Sequence, residues 1–236
     1  MSPSSKALAL SLPAELASLA RASELRTAAS GAVAWRLGWP ELDALLGGVP
    51  RGQVSEWAGP RSAGKTAALR QLVAAVLEAG AGAAYVDGTG TLTPAPWVWG
   101  RLGAGGTAPF WVVRPPEPDG VLAAADELIR SGAFGLVVAE GAEGYRWPRT
   151  AAVRLQRLAR DTGSALVAAV ERPGGVPLAG LRVQFSADPG SRVHRVRVRG
   201  HRTREVSYVR DLPYRLPGDS GLADRRGVEA EPRYAP

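Results

Sequence analysis

Eight consecutive residues carry the clearest chemistry in this chain: Gly59, Pro60, Arg61, Ser62, Ala63, Gly64, Lys65 and Thr66. The spacing Gly-x-x-x-x-Gly-Lys-Thr is that of a phosphate-binding loop. Glycine lets the backbone curl so that successive N–H groups converge on phosphate oxygens. A helix starting at Lys65 would add the positive end of its dipole. In such a loop the Lys65 ammonium reaches the terminal phosphates, the Thr66 hydroxyl ligates magnesium, and Ala67 contributes backbone to the cradle. The ligand expected on these grounds is ATP with magnesium.

The pattern works only with a strand before it and a helix after it, and both are legible. Residues 53–58 read as a strand with Val54 and Trp57 as core contacts, and Lys65 to about Ala79 as an amphipathic helix. The same alternation continues. Strands are expected at 83–87, 110–114, 134–139 and 165–170, and helices at 39–46, 94–102, 119–131 and 150–162. Short apolar strands separated by helices imply a mostly parallel central sheet flanked by helices, an α/β fold. After residue 180 the helices stop. Residues 181–187, 193–199 and 205–210 read as C-terminal antiparallel strands, with Arg195, Arg197 and Arg199 on one face and Val196 and Val198 on the other. The expected organisation is a helical segment and linker at 1–30, a core at 31–215 and a tail of low order at 216–236.

Composition narrows the function classes. The 236 residues include no cysteine, which excludes disulfides, thiol catalysis and cysteine-ligated metal centres. His194 and His201 are expected at the surface of a hairpin. No apolar run is long enough to span a membrane, and no long apolar stretch of a secretory signal opens the chain, so a cytoplasmic protein is expected. The net charge is +7. Between Arg192 and Arg215 eight arginines face only Glu205 and Asp211. Such a patch attracts phosphates, nucleic acid or an acidic protein, or is a solvated face.

With those residues in view, a resemblance emerges. Leu42-Asp43-Ala44-Leu45-Leu46-Gly47-Gly48-Val49-Pro50-Arg51-Gly52, then Glu56, then the phosphate loop, resembles the opening of the RecA recombinase core. It also resembles the ImuA-type accessory proteins of mutagenic DNA repair. Tyr85-Val86-Asp87, Leu92-Thr93-Pro94, Pro116 to Gly120, Ser131 to Phe134 and Leu181 to Ala187 agree in order. The likeness spans roughly residues 33–212 and implies a RecA-like ATP-binding core.

The resemblance also assigns places to departures. Thr89 stands where recombinases carry the glutamate that polarises water, and a hydroxyl is no carboxylate base near neutral pH. Asp87, beside it, is mostly structural in this family. Glu140 occupies the place of the aspartate that supports magnesium through water. Glu171 occupies that of a glutamine sensing the γ-phosphate, where a carboxylate would repel phosphate unless Arg172 or magnesium compensates. Trp97 or Trp99 lies near where an aromatic stacks on adenine. Both loops expected to meet DNA are short. The first carries Tyr145, Arg146, Trp147 and Arg149, with Trp147 either a base-stacking residue or a packing one; the second offers little beyond Arg172. Arg195, Arg197 and Arg199 are further candidates for DNA or partner contact. On this resemblance no counterpart of the family's large C-terminal domain is expected within these residues.

The implied function is a DNA-repair accessory of SOS-induced translesion mutagenesis with weak or no ATP hydrolysis. Its partners would be RecA, a mutagenic polymerase-complex protein of the ImuB kind, and single-stranded DNA. A DNA-stimulated, filament-forming ATPase is the alternative, and a RecA-like ATPase unrelated to DNA a third reading.

Overall fold

The computed structural model describes residues 34–98, 108–117, 119–187, 193–199 and 204–209. The helix expected within 1–30, Trp99, His201 and the tail expected at 216–236 lie outside them.

Among the described residues ten strands and five helices follow in order: β1 Ala34–Trp35, α1 Pro40–Leu46, β2 Val49–Pro50, β3 Val54–Ala58, α2 Lys65–Glu78, β4 Gly82–Asp87, α3 Ala95–Val98, β5 Phe110–Val113, α4 Gly120–Arg130, β6 Phe134–Glu140, α5 Arg149–Thr162, β7 Ala165–Val170, β8 Leu181–Ala187, β9 Val193–Arg199 and β10 Arg204–Val209. Eight strands form one sheet in the order β10-β9-β8-β3-β7-β6-β4-β5. From β8 to β5 all neighbours are parallel. β9 and β10 are antiparallel, in the register Arg182↔Arg199 and Arg197↔Glu205. This is the α/β architecture expected from the sequence, antiparallel end included. Helix α3 is described at Ala95–Val98, and residues 99–102 of the expected 94–102 lie outside the described residues. The two-residue pair β1–β2 was not anticipated, since strands that short carry no periodic signal.

Each face of the sheet has its own core. On one side α1 and α2 pack Leu42, Leu45, Leu69, Leu72 and Val76 against Trp57, Val183, Phe185, Val196 and Val198. On the other, α4 and α5 pack Val121, Ile129, Ala152 and Leu155 against Val54, Val137, Leu166 and Ala168. The buried positions of α2 recur at helical spacing, which holds it along the sheet and aims its N-terminus at the strand ends. Asp43 pins the entry to α1 by accepting hydrogen bonds from the amides of Leu37 (2.7 Å) and Gly38 (3.0 Å).

Trp57 is fully buried, with its ring 5.4 Å from that of Phe185, and so ties β3 to β8. Trp57→Ala is expected to cost about 3–5 kcal/mol in urea denaturation. A loss below about 1 kcal/mol would contradict this packing.

Candidate functional site

At the C-terminal ends of β3, β6 and β7 the chain turns from Ala58 into α2. The loop is built by position-specific backbone constraints. A Cβ at Gly59 would sit 2.7 Å from the Phe185 carbonyl oxygen, so only glycine lets β8 approach. Ser62 and Gly64 take left-handed φ values of 61° and 94°. The second is glycine's ordinary territory; the first is uncommon for serine. Together they turn the loop back over the start of α2. The loop borders a cavity of about 520 Å³, into which Thr66 is exposed. Gly59, Pro60, Arg61, Ser62, Gly64, Lys65, Thr66 and Ala67 line it, whereas the Ala63 side chain is buried.

Lys65 is buried at the floor. Its ammonium donates to the Val170 carbonyl at 2.9 Å and lies 3.8 Å from Glu140 Oε1. Burial weakens its hold on the proton; the carboxylates of Glu140 and Glu171 oppose that. The other Glu140 oxygen accepts a 2.6 Å hydrogen bond from the Tyr85 hydroxyl. Burial, reinforced by Glu140, pushes the Tyr85 hydroxyl well above its usual pKa, so it remains a donor. Tyr85 was quoted from the sequence only as a landmark; a tyrosine in a buried strand needs a partner for its hydroxyl, and that was the available signal.

The residues present fit a polyphosphate. The loop carries the inward backbone curvature, a helix N-terminus and a lysine at its floor. Among the described residues no group of three or more His, Cys, Asp or Glu could hold a metal by itself. A divalent cation here would rest on the Thr66 hydroxyl and phosphate oxygens, with Glu140 acting through water.

Opposite the loop, the expected water-polarising carboxylate is a hydroxyl committed elsewhere. Thr89 Oγ1 lies 2.8 Å from Asp87 Oδ1 and 2.8 Å from Thr91 Oγ1. Asp87 is structural, as expected: it also accepts from the Leu92 amide (3.0 Å) and Arg114 Nε (3.1 Å). Burial alone would raise its pKa, but these donors hold the carboxyl below its usual range. Glu143 and Glu171 are the other carboxylates bordering the cavity besides Glu140.

Two expectations, for Trp97 and His194, need correction, and Trp147 takes the packing alternative. Trp97 reaches the cavity but is 4% exposed; Phe110 stacks on its ring at 5.8 Å and the Arg70 guanidinium lies 5.7 Å from its centroid. It packs against Phe110 and Arg70, with little of the ring left exposed to the cavity. Trp147 is 3% exposed within the α4–α5 core, so it packs and does not stack on bases, while Arg146 and Arg149 beside it are exposed. His194 is buried at the cavity wall, not at the surface. Arg172, Arg195 and Arg197 are exposed. Arg199 is described in its backbone alone.

The second loop, residues 172–180, holds a feature not anticipated. Glu56 on β3 is 1% exposed and accepts from the Gly174 amide (2.7 Å), the Val176 amide (2.8 Å) and Arg182 Nη1 (2.9 Å). Arg182 Nη2 also donates to the Val176 carbonyl at 2.9 Å. One buried carboxylate thus fastens the loop to the strand that feeds the phosphate loop. A glutamate in a fully buried central strand must find such partners.

A sequence profile of the RecA N-terminal domain matches residues 19–146, more than half of the chain. Protein RecA of Borreliella afzelii (strain PKo) is 36% identical over 95 residues, covering 40% of this chain and 25% of that protein. Protein RecA of Kineococcus radiotolerans is 40% identical over 93 residues, covering 39% and 26%. The chain thus spans about a quarter of the length of the curated relatives it matches. The crystal structure of the RadB recombinase superposes with a TM-score of 0.58 at 19% identity, over 74% of this chain and 95% of that one, a likeness of fold.

Two predictions follow from this geometry. Mg-ATP at about 100 times its Kd should stabilise the wild-type chain by about 2.7 kcal/mol. Lys65→Ala should abolish that thermal shift while keeping the unliganded circular dichroism spectrum; a shift that survives would refute the site. Separately, Glu56→Ala should cost about 3 kcal/mol by stranding Arg182 and two amides. Limited proteolysis should then cut within 172–180 faster than in wild type; unchanged cleavage would show that the clamp does not hold the loop.

Proposed function

The chain belongs to the RecA N-terminal domain family, and from that membership we propose that it is a nucleotide-binding accessory protein of DNA repair. On this reading it is of the ImuA type, serves SOS-induced translesion mutagenesis, and acts by contacting RecA and a polymerase-complex partner of the ImuB kind. It binds ATP with magnesium in the cavity above Lys65 and Thr66 and hydrolyses it slowly or not at all.

The observation that carries the reading is at Thr89. Its hydroxyl is engaged with Asp87 and Thr91, and it has no capacity to take a proton from water near neutral pH. The binding half of the machinery is retained while the water-activating group is missing, which suits a protein whose bound nucleotide supports a shape or a contact. When bound, magnesium would supply charge neutralisation at the phosphates. Lys65, the loop amides and Thr66 are the groups that would orient them.

A second reading, a DNA-stimulated ATPase related to recombinases, is favoured by Glu171 and Glu143, which border the same cavity and could supply a carboxylate base from another direction.

Phosphate release separates the two. The accessory reading expects slow turnover, unaffected by single-stranded DNA, and a rise of about 10²–10⁴-fold in Thr89→Glu. Rapid, DNA-stimulated turnover that collapses in Glu171→Gln would establish the second reading instead. Capture of purified RecA by the immobilised chain tests the contact itself; absence of capture with and without Mg-ATP would remove that part of the proposal.

A further inference from the structure

The charges that border the cavity are sorted by element. Arg61 stands on the phosphate loop, and Lys65 and Arg70 stand on α2. The carboxylates come from the strand ends: Glu140 closes β6, Glu143 lies in the loop after it, and Glu171 is the first residue after β7. Three cations are thus matched by three carboxylates. Lys65 is where the two sets meet. Its ammonium lies 3.8 Å from Glu140 Oε1 and donates to the carbonyl of Val170, the residue before Glu171. Burial weakens the lysine's hold on its proton, and the charges of Glu140 and, after it, Glu171 oppose that. Both carboxylates therefore act on the point where a phosphate chain would end.

No further cation offsets Glu171. It is half-buried and makes no ion pair with any described residue. It borders both the cavity and a smaller recess of about 80 Å³ between the two loops. Arg146 and Arg172 border that recess and not the cavity. Arg172 is therefore not the compensating charge that a phosphate beside Glu171 would need. Glu140 is already engaged, with one oxygen facing Lys65 and the other accepting from the Tyr85 hydroxyl. A phosphate chain is favoured along the loop amides and the start of α2, where the potential is positive. Past the Lys65 ammonium it meets carboxylates. Each phosphate added at that end brings negative charge toward Glu171.

We propose that the cavity is a nucleoside-diphosphate site, in which Glu171 is the specificity-determining residue that disfavours a third phosphate. The inference rests on the nucleotide reading above and sharpens it: ADP is the preferred ligand and Mg-ATP a weaker one. One like-charge pair at close range in a half-buried site weakens binding by about tenfold or more. Lys65 holds the end of a diphosphate without that penalty. The preference accords with Thr89, because a protein that rests in its diphosphate form needs no group to activate water.

Calorimetric titration of the full chain in magnesium with ADP, and with β,γ-imido-ATP, which carries a third phosphate and resists hydrolysis, reads the preference. ADP should bind the wild-type chain at least about tenfold more tightly. Glu171→Gln keeps the shape of the side chain and removes its charge. It should raise the affinity for imido-ATP about tenfold and change that for ADP less than about threefold. Glu143→Gln, at an exposed carboxylate on the same border, should leave the ratio within about twofold, because solvent screens its charge. Circular dichroism melts check that the variants fold; should the glutamine variant melt early, Glu171→Ser gives the same change of ratio. Equal affinity of the wild-type chain for the two nucleotides overturns the proposal and leaves the nucleotide reading standing; the carboxylates would then serve a cation carried by the triphosphate. A ratio unmoved by Glu171→Gln, or moved as far by Glu143→Gln, removes Glu171 from the role. Absence of binding of either nucleotide overturns the nucleotide reading itself, and this inference with it.

Discussion

At the floor of the cavity, the buried Lys65 ammonium donates to the Val170 carbonyl at 2.9 Å and faces Glu140 at 3.8 Å. Three elements meet at that point: the helix that carries the lysine, the end of β7 and the end of β6. A buried ammonium is costly unless hydrogen-bonded and paired, so the contact fixes the phosphate loop relative to two central strands. Tyr85 extends the arrangement by holding the far oxygen of Glu140 from β4. The groups that would meet a phosphate are therefore positioned by one helix and three strands of the sheet it packs on. The loop bend rests on the same scaffold, since β8 leaves room beside Gly59 for glycine alone.

Order at the phosphate loop is matched by order in the loop after β7. The loop after β7 is short, and the buried Glu56 carboxylate holds it through two amides and Arg182. Because Glu56 lies on β3, the same strand anchors the phosphate loop at its end and this second loop at its middle. The phosphate loop and the second loop are thereby fastened to one strand. This agrees with a protein that uses its nucleotide to hold a surface in place. The loss of a carboxylate at Thr89 points the same way, because Asp87 and Thr91 occupy the hydroxyl that stands there.

Much of this fold was legible in the sequence for a simple reason: β4, β6 and β7 are continuous apolar runs bounded by turn residues, and the helices between them repeat their apolar positions at helical spacing. The phosphate loop was legible because its function is a local backbone shape. What escaped depends on long-range contact. Trp97 and Trp147 looked able to stack on bases, yet their rings are taken up by Phe110 and Arg70 in one case and by the α4–α5 core in the other. The partners of Glu56 lie 118 to 126 residues away in sequence, beyond any local pattern. His194 was placed at the surface on its residue type, whereas the alternation of β9 puts it on the buried face of Val196 and Val198.

The central claim is that affinity here resides in the phosphates. Calorimetric titration of the wild-type chain with Mg-ATP, then repeated in saturating inorganic triphosphate and in saturating adenosine, tests it directly. The account predicts a single site whose heat is abolished by triphosphate and left unchanged by adenosine. Binding of Mg-ATP that adenosine blocks and triphosphate does not, or no binding at all, would contradict it.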